Sequence, residues 1–181
     1  AALGLDNQQQ NLWLQTQQLA TNARLAEVLQ VELGFESLVE TVLGDAIKAV
    51  VVEDLSVINL ADSPSVIFLE QDNRLAATPE FLASKLLSRF GQELVVGVKY
   101  CASLAEALNQ RQGLAAGESL ITQDGFWLGK HWLKVVGKKA EDSVLTRQTI
   151  LADLQHQLEQ LQQELVTIQE SQTLVNQQQQ Q

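Results

Sequence analysis

Gly34-Phe35-Glu36-Ser37-Leu38-Val39-Glu40-Thr41-Val42-Leu43-Gly44, then after four residues Ala49-Val50-Val51-Val52-Glu53, is the stretch whose reading decides the fold. Phe35, Leu38, Val39, Val42 and Leu43 recur at steps of three and four, the spacing that puts side chains on one face of a helix. Gly44 stands just past the last apolar position and reads as the helix stop. The run from Ala49 to Val52 is short, Val-rich and bounded by Lys48 and Glu53, which suits a buried strand. A helix followed closely by a buried strand is the unit of a mixed α/β structure.

Further along, Asp62-Ser63-Pro64-Ser65 is a turn, and Val66 to Leu69 a second strand. Thr78-Pro79 opens a helix with proline in its first turn. Phe81, Leu82, Lys85, Leu86 and Leu87 carry that helix to about Arg89, and Gly91 ends it. Leu94 to Val98 is a third strand. Ser103, with Glu106 three residues later, forms a capping box for a helix whose inner face is Leu104, Ala107 and Leu108. Glu118 to Thr122 and Phe126 to Leu128 flank Gln123-Asp124-Gly125, a hairpin signal, and Trp132 to Val136 is one more apolar run. The predicted fold is a mixed α/β (α+β) head. A short echo between Leu25-Ala26-Glu27-Val28-Leu29 and Leu82-Ala83-Ser84-Lys85-Leu86 fits two related lobes divided near residues 71–78.

Outside the head the pattern changes to Gln-rich helix. Leu151, Leu154, Leu158, Leu161, Leu165, Ile168 and Val175 alternate by three and four, broken only at Gln172. That is a coiled-coil seam. At the other end Leu5, Leu12, Leu19 and Ala26 recur every seven residues, with Thr16 and Ala23 between, and Trp13 and Leu14 lie off the stripe. Residues 1 to about 22 therefore read as helix. Two such flanks imply one antiparallel coiled coil with a head at its tip.

The chain has 181 residues and a net charge of −10, and 45% of it is hydrophobic. This suits one domain with helical arms. It contains no Met, as expected of an internal piece of a longer protein. So acidic a chain is not a bulk nucleic-acid binder, and DNA contact would need a local basic patch. The single cysteine, Cys101, excludes an internal disulfide and argues for a reducing compartment. No apolar run is long enough for a transmembrane helix.

No phosphate-binding G-x-x-x-x-G-K-[ST] loop and no G-x-G-x-x-G occurs. Cys101 and His131 are a nucleophile–base pair on paper only; a lone Cys after a Val-rich strand is usually a small buried hydrophobe. With two His and one Cys there is no zinc-site spacing. Glu36 and Glu40 share a helix face and read as solvated. Lys130, Lys134, Lys138 and Lys139 are four of only twelve Lys and Arg, with His131, Trp127 and Trp132 among them. A strand here would place Lys130, Trp132 and Lys134 on one face. That is either a phosphate-contacting patch with a stacking aromatic or a solvated edge.

The Gly-Phe-Glu helix ending Leu43-Gly44 and the strand Ala49–Val52 resemble the hinge domain of SMC (structural maintenance of chromosomes) proteins. So do Leu94-Val95-Val96, Ser103 to Leu108, and Ser119-Leu120-Ile121-Thr122-Gln123-Asp124-Gly125. The resemblance is to bacterial condensin-type chromosome partition proteins and covers roughly residues 24–139. The family's glycine pair after the Asp-Gly turn is replaced by Phe126-Trp127-Leu128-Gly129-Lys130-His131-Trp132, with Gly137 alone. The Gly-Arg element before the strand near Val66 is also absent, as in shortened gammaproteobacterial hinges. The resemblance implies an N-terminal arm over 1–23, hinge lobes over 24–75 and 76–140, and a C-terminal arm over 141–181.

The resemblance further implies a homodimerisation joint between two coiled-coil arms, with no catalysis and no cofactor in this piece. The ATPase heads and the binding sites of accessory condensin subunits would lie elsewhere in the longer protein. The location it implies is cytoplasmic and nucleoid-associated. Expected dimer contacts are Val66, Ile67, Phe68 and Leu69 from one lobe and Leu120, Ile121, Thr122, Gly125, Phe126 and Gly129 from the other. Expected weak, salt-dependent DNA contacts are Lys130, Lys134, Lys138 and Lys139. The competing reading is a monomeric protein- or ligand-binding adaptor inserted in a coiled coil.

Overall fold

The computed structural model describes residues 2–71, 78–137 and 143–179, with side chains from 8 to 169. Residues 1–146 form one compact unit and residues 147–181 a second. Helix α1 (Ala2–Thr16) leads to the short α2 (Leu25–Val28), α3 (Glu36–Leu43) and strands β1 (Val50–Val52) and β2 (Phe68–Glu70). Then come β3 (Val98–Cys101), α4 (Leu104–Gln110), β4 (Ser119–Thr122), β5 (Phe126–Leu128), β6 (Leu133–Val135) and the long α5 (Val144–Gln179).

The strands form two sheets. β1 and β2 pair in parallel, with Val51 opposite Leu69. The second sheet runs β3-β4-β5-β6, its first pair parallel and the rest antiparallel. The predicted α/β mixture is therefore what the chain adopts. One core serves both sheets: Leu25, Leu38, Val39, Leu43 and Ile47 pack with Leu82, Leu86, Val95, Val98, Ile121 and Leu145. Smaller clusters gather Cys101, Ala107, Leu114, Leu120 and Leu128, and Leu14 with Val50 and Val52.

α3 is as its periodicity predicts, and Gly44 ends it at φ +53°, a conformation open to glycine and strained for other residues. Glu36 and Glu40 are not merely solvated. The Gly34 amide donates to buried Glu36, while Glu40 accepts from Ser143 Oγ and the Leu145 amide. Ser143 is itself buried, and its Oγ accepts from the Thr146 amide in the first turn of α5.

Several expectations are corrected. The helix predicted from Phe81 to Arg89 is only a 3-10 turn at Leu82–Lys85. The strand predicted at Leu94–Val98 is a 3-10 turn at Glu93–Val95, and the strand begins at Val98. Short apolar runs do not distinguish these states by periodicity alone. α1 stops at Thr16, six residues early, and Gln18 turns the chain at φ +59°. Leu12, on the heptad stripe, is exposed, whereas the off-stripe Leu14 is fully buried beside Trp13. The end of α1 thus packs on the head with the face that its heptad pattern does not mark. In α5 the seam residues Leu151 to Ile168 leave 56–65% of their surface exposed.

The short echo has a structural counterpart. Arg24 bridges antiparallel to β1 and precedes the α2 turn; Phe81 bridges antiparallel to β3 and precedes the turn at Leu82–Lys85. In each half the bridged strand then takes the next strand in parallel, β1 with β2 and β3 with β4.

Candidate functional site

The repeated unit makes the strand edges informative. In the second half, the far side of β4 is covered by β5, and β5 by β6. Gln123-Asp124-Gly125 makes this possible. Gly125 adopts φ +94°, the Thr122 hydroxyl and the Leu104 amide both donate to Asp124, and the Phe126 amide donates to Thr122 Oγ1. In the first half, β2 pairs with β1 and has no second strand neighbour among the described residues. Unpaired strand edges carry a row of main-chain donors and acceptors and invite another strand.

β2 is supported on both faces, as strand alternation allows. Phe68 packs with Leu14 and Trp13 under α1, and Leu69 packs against the main core. Beside it Ile67 is 43% exposed, and Leu55, Val57 and Leu60 in the preceding loop are also exposed. In the other sheet β6 is a terminal strand with no second strand neighbour among the described residues. Its residues Leu133 and Val135 are exposed, Val135 by 69%, and Trp132 before it is half exposed. An exposed edge strand is a template on which another strand can pair.

The expected contact residues divide accordingly. Val66, Ile67, Phe68 and Leu69 lie at the β2 edge. Leu120, Ile121 and Thr122 do not reach a surface: β4 is paired on both sides and these residues are 0–1% exposed. Phe126 is half-buried opposite Val135. Gly125 and Gly129 are also enclosed. A Cβ on Gly125 would lie 2.7 Å from the Gly137 carbonyl carbon, and one on Gly129 would lie 2.2 Å from Trp132 Nε1. β6 falls within the apolar run read at Trp132 to Val136, but its place at the end of the sheet was not read from the sequence.

That cluster is only partly assembled. Lys130 lies before β6 rather than in it, and its carbonyl accepts from Arg111. Lys134 is in β6, its Nζ 5.7 Å from the Trp127 ring, and Trp127 meets Trp132 edge-on. The expected face of Lys130, Trp132 and Lys134 on one strand is therefore not formed. Lys138 and Lys139 lie outside the described residues.

Cys101 is buried, and its thiol is pushed up to about 11, first by burial and then by the Glu106 and Asp124 carboxylates. At neutral pH the thiolate fraction is then about one in ten thousand, opposite to what a cysteine nucleophile requires. Among the described residues no group of His, Cys, Asp and Glu could hold a metal, and no helix is long and apolar enough to cross a membrane.

Residues 20–78 match the family model of the SMC proteins' flexible hinge domain. The chromosome partition protein Smc of Coxiella burnetii is 33% identical over 143 residues, which are 75% of this chain and 12% of that protein. The Smc protein of Methylococcus capsulatus is 31% identical over 171 residues, 88% of this chain and 14% of its own length. The chain thus spans only about an eighth of those relatives. An asymmetric dimer of the Geobacillus stearothermophilus SMC hinge domain shares the fold, with a TM-score of 0.55 at 17% identity, over 90% of this chain and 87% of that one. The Pyrococcus furiosus Smc hinge domain with an extended coiled coil gives a TM-score of 0.51 at 15% identity, over 91% and 70%. By its matched hinge segment, its Smc relatives and its fold, this chain is an SMC hinge domain of the bacterial chromosome partition type.

Proposed function

We propose that this chain is the homodimerisation joint of a chromosome partition protein, linking two coiled-coil arms. The observation that carries this reading is the bare edge of β2, set against the covered edge of its counterpart β4. A strand from a second copy would complete the first half as the β5–β6 hairpin completes the second. β6 is the strand with an open edge to offer. Two-fold pairing of β2 with the partner's β6, and of β6 with the partner's β2, uses both of these edges and closes as a dimer. The structural neighbour solved as an asymmetric dimer supports dimerisation, though not this two-fold pairing. The exposed seam of α5 suits a helical partner in the arm.

In this reading the piece does no chemistry. ATPase heads and accessory subunits belong to the longer protein, which acts in the cytoplasm at the nucleoid. DNA contact is a secondary part of the proposal. Exposed Lys130 and Lys134 beside half-exposed Trp132 favour it, with Lys138 and Lys139 following in sequence. Binding through so few cations would be weak and steeply salt-dependent. Neutralising the four lysines should remove it, and undiminished binding would exclude the patch.

The test is solution mass by light scattering on the whole chain across a dilution series, for wild type, Ile67→Glu and Val135→Glu. The expected result is twice the monomer mass for wild type and a shift towards monomer for both variants. A wild-type monomer at all concentrations would favour the adaptor reading. A dimer indifferent to both charges would place the interface elsewhere.

A further inference from the structure

The end of α1 is built into the strand that the proposed interface uses. Trp13 and Phe68 face one another at 6.1 Å between ring centroids, and Trp13 Nε1 donates to the Ala61 carbonyl at 3.2 Å. Leu14, with no exposed surface, packs against Val50 and Val52, and Phe68 and Val66 close over the same cluster. The main chain repeats the connection. The Leu19 amide donates to the Leu14 carbonyl, the Asn22 side chain donates to the Val51 carbonyl, and the Val51 amide donates to the Ala23 carbonyl. Arg24 then bridges to Val50. Helix, turn and sheet are therefore one continuous hydrogen-bonded and packed path from α1 through β1 to β2.

α5 is rooted differently. Its first turn is held by the Ser143–Glu40 contact and by Leu145 in the main core. That core also receives Leu69 of β2, but among the described residues no hydrogen bond or ring contact joins Ser143 or Glu40 to β2 as Trp13 is joined to Phe68. The root of α1 thus meets β2 directly, while that of α5 meets it only through the shared core.

From this geometry we infer that the root of α1 is a relay between the N-terminal arm and the dimer edge: the seating of Trp13 and Leu14 sets the placement of β2, and so its affinity for a partner strand. The inference rests on the dimer reading above and adds its regulation. Interiors are close-packed and deform little, so unseating an indole from one face of a three-residue strand displaces the strand's edge. Coupling of this kind is reciprocal. A partner on β2 holds the α1 root in place by the same factor that the seated root favours the partner.

The experiment compares dimer dissociation constants of the full chain by sedimentation equilibrium for wild type, Trp13→Ala, Trp13→Phe, Ser143→Ala and Val135→Glu. Trp13→Ala should weaken the dimer at least tenfold. Trp13→Phe, which keeps a ring but loses the bond to Ala61, should weaken it by a few-fold. Ser143→Ala loosens the other arm and should leave the constant within about twofold. Hydrogen exchange of the amides of residues 67–70 in the Trp13 variants should quicken relative to Ser143→Ala. If Val135→Glu weakens the dimer while both Trp13 variants match wild type or Ser143→Ala, the relay is wrong and the joint stands. If Val135→Glu has no effect, the edge-pairing reading itself fails, and the relay with it. Should Trp13→Ala not fold, Trp13→Phe and the exchange rates decide on the same terms.

Discussion

The two halves of the head begin alike and end differently. Each starts with a residue bridged antiparallel to a strand, passes through a helical turn, and pairs that strand in parallel with the next. In the second half the chain folds back twice, and β5 and β6 seal the edge of β4. In the first half, among the described residues, β2 pairs only with β1 beside exposed Ile67. The same local unit is thus a finished sheet in one place and an unfinished one in the other. The difference lies in the turn chemistry of Asp124-Gly125, since a parallel pair has no hairpin of its own.

The comparison breaks most sharply between an apolar residue inside β4 and one beside the edge of β2. Ile121→Ala empties a fully enclosed site in β4 and should cost about 2–5 kcal/mol. Ile67→Ala, at the open edge, should change intrinsic stability by about 0.5 kcal/mol or less and act on association instead. Urea unfolding at matched chain concentrations separates the two, because a dimer's apparent stability depends on protomer concentration. Equal losses at both positions would mean that β2 is as enclosed as β4.

Next in size is the hairpin's own closure. Gly125 combines φ +94° with backbone of Gly137 where a side chain would go. Gly125→Ala should therefore cost about 1–3 kcal/mol, more than Gly44→Ala, where φ is +53° and the space is open. If the order reverses under urea, the Gly125–Gly137 approach is not what seals β4.

These two glycines also show what was legible in the sequence. Each was read from its place after an apolar run or an Asp, a local signal, and the α3 stop and the β4–β5 hairpin appear where expected. The Ser103 cap was equally local, and its Oγ accepts from the Glu106 amide. Burial and pairing are set by distant residues, and there the reading failed. Leu120 to Thr122 read as an edge because the local hairpin signal gives only β5 as a neighbour and nothing local says that β3 lies on the other side. Leu14 read as off-stripe because its partners, Val50 and Val52, are far along the chain. The strand near Val66 to Leu69 and the apolar run from Trp132 to Val136 were both read locally; β2 overlaps the first and β6 lies within the second.

The arm roots give the next effect. Ser143 caps α5 and is held by Glu40. Ser143→Ala should cost about 1 kcal/mol, and Glu40→Ala about 1–2 kcal/mol, since it leaves a buried hydroxyl and the Leu145 amide short of an acceptor. Faster exchange of the Leu145 and Thr146 amides, with that of the Val51 amide unchanged, would keep the two roots separate. A change at Val51 would join them.

The smallest effect depends on pH and belongs to the second half alone, because Cys101 is the chain's single cysteine. Its thiol, ordinarily near 9.0, is raised to about 11 by burial among Ala107, Leu114, Leu120 and Leu128, and by the nearby carboxylates. A raised acid pKa means that the unfolded chain releases this proton first. The contribution is therefore fully present below about pH 9 and is lost as pH rises towards 11. The loss should be at most about 1 kcal/mol by pH 10.5, given partial access of solvent to the sulfur. Cys101→Ala lacks this proton, so the stability gap between wild type and variant should narrow steadily from pH 8.5 to 10.5. All other titratable groups are common to both chains and cancel. A gap that stays constant would mean that the thiol is as solvated folded as unfolded, and that the core which β5 and β6 close is open to water.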